Sequence, residues 1–254
     1  MVQPDYSNAN IFVEGKIIMN IVVVGAHQDD MEVNCAGTLL KYRKQGDVNI
    51  TIVVISNGDK GFQHKPSVPY EEATRIRNAE ATRVAEALGG RYICLGQSDE
   101  YMADTPEARN QVVDILRESK ADVVFTLPPQ DYNADHMVAS EITFQAVMLA
   151  PVTTIFTDHE PLRMTPVMYY MDSAVATGFD PSHYVDITDV WEQKCELLRM
   201  HVSQMDNAKF FGDFDLVELS QIVGAYRGMQ SRVRYAECFR PAPWPRARAG
   251  NVLP

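Results

Sequence analysis

The stretch Ile21–Leu40, IVVVGAHQDDMEVNCAGTLL, decides the fold. Its apolar run ends at Gly25-Ala26, and His27, Asp29, Asp30 and Glu32 follow within six positions. An apolar run bounded by glycine reads as a strand buried on both faces of a parallel sheet. Ligand-type side chains at its carboxyl end fall where open α/β sheets place their sites. Taken singly, an Asp-Asp pair reads as charge at a helix N-terminus, and an Asp-His pair as a cap followed by a surface imidazole. Four such residues at the end of one core strand ask for more than either reading.

Working outward, Ile17–Gly25 reads as the first strand, and Glu32–Gln45 has helical spacing that ends at Gly46. Val48–Ile55 is a second apolar strand closed by Ser56-Asn57-Gly58, and Glu71–Leu88 is an amphipathic helix stopped by Gly89-Gly90. Tyr92–Leu95 is a short third strand; Pro106–Ser119 is a helix with proline in its first turn. Asp122–Leu127 is a fourth strand, and Asp135–Leu149 is the helix after it. This alternation predicts an α/β fold: a Rossmann-like, three-layer, doubly wound and mainly parallel sheet. Beyond Ala150 the pattern weakens at Pro151, Pro161, Pro166 and Pro181. Val167–Met171 and Tyr184–Ile187 read as strands added antiparallel, and Asp189–Met205 and Leu216–Cys238 as long helices. The 254 residues are taken as a single domain with a less regular C-terminal portion, an N-terminal extension over 1–16 and a C-terminal arm over 241–254.

A net charge of −11 argues against a nucleic-acid partner. No run of about 18 apolar residues predicts a membrane span, and the polar N-terminus is not a signal peptide. The four cysteines form no CxxC pair, which points to reduced thiols in a cytoplasmic protein rather than a zinc ribbon or a disulfide framework.

With the common doubly wound strand order, the first and fourth strands are neighbours and a crevice opens at their carboxyl ends. His27, Asp29 and Asp30 follow the first; Asp131, Asn133, Asp135 and His136 follow the fourth, in PPQDYNADHM. Two imidazoles and a carboxylate with an open position make a catalytic zinc site, and a further carboxylate beside it can serve as general base.

At these residues the chain resembles the LmbE/PIG-L-like zinc-dependent N-deacetylases. Ala26-His27-Gln28-Asp29-Asp30 is similar to their AHPDD-type motif, with Gln28 in place of the usual Pro; Asn133-Ala134-Asp135-His136 is similar to their HPDH-type motif. Arg77 and Glu80, Leu95-Gly96 with Asp99, Lys194 with His201-Val202-Ser203-Gln204, and Ala236-Glu237-Cys238-Phe239-Arg240 extend the match over about residues 17–240. The resemblance implies one Zn2+ per chain, held by His27, Asp30 and His136, a set also compatible with other divalent transition metals. It implies Asp29 as general base, Arg77 and Asp99 as contacts to sugar hydroxyls, and removal of an acetyl group from an N-acetylglucosamine-type substrate. Relatives commonly carry His where this chain has Asn133, whose amide can still donate to developing negative charge. The partner expected is therefore a small amino-sugar conjugate, with neither nucleic acid nor membrane, in a homo-oligomer. The alternatives are a zinc amidase for another N-acyl substrate and a catalytically degraded Rossmann-like sugar-binding protein. The absence of GxGxxG after the first strand counts against dinucleotide binding.

Overall fold

The computed structural model describes residues 12–13, 16–243 and 253; most of the N-terminal extension and of the C-terminal arm lies outside the described residues. In chain order the elements are β1 (Phe12–Val13), β2 (Lys16–Ile17), β3 (Met19–Gly25), α1 (Asp30–Asn34), α2 (Ala36–Gln45), β4 (Val48–Ser56), α3 (Tyr70–Ala87), β5 (Arg91–Gln97) and α4 (Pro106–Glu118). They continue with β6 (Val123–Thr126), α5 (Ala134–Leu149), β7 (Val167–Met171), β8 (His183–Asp186), α6 (Trp191–Arg199), α7 (Val202–Phe211), α8 (Leu216–Ser231) and β9 (Ala236–Pro241). Seven strands form one sheet in the order β5-β4-β3-β6-β7-β9-β8.

Strand β3 is the centre of that sheet because its sequence permits little else. Ile21, Val22, Val23 and Val24 are buried on both faces, and β-branched side chains suit a pleated, enclosed strand. Burying each such side chain contributes about 1.5–3 kcal/mol. Strands β4 and β6 flank it in parallel, Val24 facing Val53 on one side and Thr126 on the other. The chain moves outward through β4 and β5, then returns past β3 to β6. Right-handed crossovers therefore place helices on both faces. Helix α4 packs on α5; α2, α6 and α8 pack together, with α7 against α3 and α8.

The C-terminal portion departs from the expected pattern. Val167–Met171 pairs parallel to β6 and so extends the parallel sheet. The antiparallel strand is β9, inserted between β7 and β8, from a segment the periodicity assigns to one helix over Leu216–Cys238. Helix α8 stops at Arg232, in the left-handed conformation (φ 63°). Gly228 allows the reversed chain to cross the helix end, because a Cβ there would lie 2.6 Å from the Arg234 carbonyl oxygen. The expected helix over Glu32–Gln45 is likewise two helices, broken at Cys35 (φ −149°). Glu237 explains the break: its carboxylate accepts the Gly37 and Thr38 N–H groups (2.9 and 2.7 Å) and pairs with Lys194 Nζ at 2.7 Å. Asp189–Met205 also divides, into a 3-10 turn, α6 and the start of α7, where His201 faces Glu32.

Candidate metal centre

Because β3 and β6 are adjacent and parallel, the loops leaving their carboxyl ends lie side by side. The β3 loop turns directly into α1, and Gly25 makes room for the turn, since a Cβ there would stand 3.1 Å from Asp30 Cβ. Asp30 Oδ2 accepts the N–H groups of Ala26 (2.8 Å) and His27 (2.7 Å). This pins one carboxylate oxygen and leaves Oδ1 3.3 Å from His136 Nε2. His27 Nδ1 lies 3.2 Å from the same His136 nitrogen. His27, Asp30 and His136 thus offer ligand atoms all within 4.8 Å of one another. This is the mixed nitrogen and oxygen set of a catalytic transition-metal site with a position left open.

The surroundings of the imidazoles fit such an ion as well. Metal-binding histidines usually direct the second ring nitrogen at a carboxylate or carbonyl. Here His27 Nε2 lies 3.0 Å from Asp99 Oδ1 and 3.6 Å from Asp135 Oδ2, and His136 Nδ1 lies 3.1 Å from Asp131 Oδ1. In the metal-free protein, burial opposes charge on His136, but Asp30 and Asp131 outweigh it and hold the imidazole up at about 9. Burial opposes charge on His27 too, and Asp135, Asp30 and Asp99 raise it well above the ordinary histidine range. Burial works against ionised Asp30, yet His136 and His27 hold its carboxyl well below the usual value. The cluster therefore attracts positive charge, whether as protons or as a cation.

Asp29 stands beside this group in a different role. It occupies the N-cap position of α1 but makes no side-chain cap; instead its Oδ1 lies 3.2 Å from Arg77 Nη2. Arg77 is buried and reaches Asp99 Oδ2 (3.3 Å) with its other terminal nitrogen. Arg77 and Asp99, expected to meet a sugar, are thus only 3% exposed each and tie Asp29 to His27. Glu80 turns away from Arg77 and accepts from Ser203 N and Oγ (3.0 and 2.6 Å). Asn133 is the N-cap of α5, its Oδ1 accepting the N–H groups of Asp135 (2.8 Å) and His136 (3.4 Å).

Several further polar groups support this arrangement. Asp135 holds the turn after β5 by accepting Glu100 N (2.7 Å) and Met102 N (3.3 Å). Glu100 adopts a left-handed backbone (φ 65°) to make this contact, a strain of about 1–2 kcal/mol for a residue with a Cβ. Gln28 is buried and bonds the Ser56 carbonyl at 3.1 Å. His64 sits in the loop after β4, with Nδ1 3.0 Å from Asn207 Oδ1 and its ring stacked on Phe62. Fully buried His201 has Nε2 3.0 Å from Glu32 Oε1. Asp172 is held by Arg227 Nε at 2.7 Å. The ligand-type residues at strand ends were readable in sequence; these partners come from turns whose approach depends on the folded backbone.

The model of the family described as PIG-L, GlcNAc-PI de-N-acetylase, matches residues 22–147. Diacetylchitobiose deacetylase from Thermococcus kodakarensis is 27% identical over 239 residues, which span 89% of this chain and 84% of that protein. Among solved structures, N,N'-diacetylchitobiose deacetylase from Pyrococcus horikoshii superposes with a TM-score of 0.75 at 24% identity, covering 88% of this chain and 83% of that one. The 4-carboxy-2-hydroxymuconate hydratase GalB from Pseudomonas putida superposes with a TM-score of 0.78 at 22% identity, covering 92% and 100%. Those two structures speak for the fold alone, and a fold does not fix a reaction. No helix among the described residues is long and apolar enough to cross a membrane. With the sequence match running from β3 to α5 and the candidate ligands at the two strand-to-helix junctions it includes, the chain belongs to the PIG-L family of de-N-acetylases.

Proposed function

We propose that the protein is a zinc-dependent hydrolase that removes the N-acetyl group of an N-acetylglucosamine-type sugar or conjugate. The observation that carries this reading is the convergence of His27, Asp30 and His136 on one point, with a separate carboxylate, Asp29, held beside it by Arg77. When bound by those three residues, a divalent ion supplies Lewis acidity toward a carbonyl oxygen and acidifies water.

The chain's own groups supply the rest. Asp29 takes the proton from the attacking water and delivers it to the departing amine, which must leave protonated. Arg77 fixes the Asp29 carboxylate, and Asp99 fixes the ring orientation of His27. Asn133 Oδ1 is committed to the helix cap, which sets the amide so that Nδ2 is the end left to donate to charge developing on the carbonyl oxygen. Four free thiols, at Cys35, Cys94, Cys195 and Cys238, suit a reducing cytoplasm. Ile222, Tyr226 and Met229 are exposed along α8, at spacings that share a helix face, and suit contact between copies of the chain.

Asp29→Asn tests the reading. The variant keeps its metal by elemental analysis, while free-amine release from a panel of N-acetyl hexosamine substrates drops by about 10²–10⁴-fold. Near-native turnover would show that another group is the base. Loss of metal would make Asp29 a ligand.

A further inference from the structure

Helix α8 turns an uncharged stripe outward. Leu216, Gly224 and Gly228 are buried against the body, while Ile222, Tyr226 and Met229 are 52%, 45% and 69% exposed. Ala225 is exposed among them, and the spacing puts all four on one face of the helix. Between Glu218 and Arg232 the sequence has a single charged residue, Arg227, and that one is buried, with Nε bound to Asp172 at 2.7 Å. The outer face of a surface helix ordinarily carries its charged residues, and an exposed face without them marks a contact surface.

Charge returns at the two ends of the stripe with opposite sign. Asp213, Asp215 and Glu218 stand at the start of α8, and Arg232 and Arg234 where the chain leaves it. Among the described residues, neither Glu218 nor Arg232 is in an ion pair. At 1.5 Å per residue the two are about 21 Å apart along the axis. A parallel copy of α8 would set acid against acid and arginine against arginine. An antiparallel copy centred between Ala225 and Tyr226 does the reverse. It sets Ile222 against Met229 of the second copy and the Tyr226 ring over the small Ala225, large residues into gaps as packed helices require. It also brings each Glu218 to the other copy's arginine end. A two-fold contact has to be complementary to itself, and this stripe is so in both shape and sign, which singles out a second copy of the chain as its occupant.

We propose that two copies of this chain associate through α8, packed antiparallel about a two-fold axis beside Ala225 and Tyr226, with Glu218 of each copy paired to Arg232 of the other. The proposal builds on the contact between copies named above and is independent of the reaction, so its test reads association and not amine release.

Sedimentation velocity of the full chain at micromolar concentrations measures it, with far-UV circular dichroism confirming that each variant is folded. The wild type sediments as a dimer or an even multiple of one. Tyr226→Glu puts two like charges at the axis and weakens the dimer by about 100-fold, about tenfold for each of the two substituted residues. Glu218→Arg and Arg232→Glu each weaken it about tenfold by opposing like charges, and the double variant returns to wild-type association because the pairs are restored in reverse. A monomeric wild type overturns the proposal, as does unchanged association in folded Tyr226→Glu. A double variant as weak as the single ones overturns the antiparallel pairing. Should Tyr226→Glu fail to fold, the charge swaps at the exposed ends decide alone.

Discussion

Stripped of metal, the protein should lose stability as pH rises from about 6.5 to about 9, against the usual trend for an acidic protein. The cause is His136, which is 3% exposed and faces Asp30 and Asp131. Those carboxylates outweigh its burial and hold its imidazole at about 9, whereas an unfolded chain titrates near 6.5. The folded state thus binds this proton more tightly than the unfolded state does. The stabilisation is fully present below about pH 6.5 and is lost as pH climbs through about 9. At 1.36 kcal/mol per pH unit, the interval is worth about 3 kcal/mol. His27 is raised by the same carboxylate surroundings and acts in the same direction. Urea unfolding in excess chelator from pH 6 to 10, for the wild type and for His136→Gln, measures the effect. The variant should show a visibly shallower slope, whatever its absolute stability. With metal restored, the wild-type trend should reverse, because protons and metal compete for the same nitrogens. A flat metal-free curve between pH 6 and 9, or identical slopes in the two proteins, would refute the reasoning.

Two further substitutions separate structure from chemistry. Asn133→Asp keeps an oxygen at the α5 N-cap and should leave the unfolding midpoint unchanged while lowering kcat by about 10²–10³, since the amide donor is gone; Asn133→Ala should show the same kinetic loss plus about 1 kcal/mol of destabilisation, and a native kcat in the Asp variant would reduce Asn133 to a cap. Glu237→Ala leaves Lys194 buried without its partner and frees the Gly37 and Thr38 N–H groups, so denaturant unfolding should show a loss of about 3–5 kcal/mol, and a native midpoint would show that the network is dispensable.

The parallel half of the fold was legible because each of its signals is local. The β3 valines, the glycines that close the helices and the proline at the start of α4 act within a few residues, and the outer ends of the observed elements there differ from the expected ones by no more than two residues. Elements set by distant partners were not legible. The break at Cys35 depends on Glu237, about 200 positions along the chain. The strand β9 depends on a gap between β7 and β8 that no local periodicity announces. The site divides the same way. His27, Asp30 and His136 could be read because the switch point of a doubly wound sheet brings two strand ends together. The approach of Asp99 to His27 could not, since it depends on the turn that Asp135 and Asp59 hold.

That division also bears on whether the site is degraded. Gln28 and Asn133 are the departures from the AHPDD-type and HPDH-type motifs that the chain resembles, and in isolation both look like decay. Decay predicts side chains released from constraint and left exposed. Gln28 instead is buried, and although its Oε1 has no hydrogen-bond partner among the described residues, its Nε2 donates to the Ser56 carbonyl at 3.1 Å and so links the ligand-bearing loop to the end of β4. Asn133 caps the helix that carries His136 and accepts the His136 N–H itself. The groups that orient the ligands are intact too: two backbone N–H groups on Asp30, Asp99 against His27, and Asp131 against His136. Each of these polar groups is costly to bury unless paired, and their pairing aims three donor atoms at one point. A chain that had abandoned its metal would have little physical reason to keep imidazoles and carboxylates packed this closely, because apolar residues would fill the same volume at lower cost. Gln28 and Asn133 are therefore held in place by the packing around the candidate ligands, which favours the proposed metal centre over a degraded one.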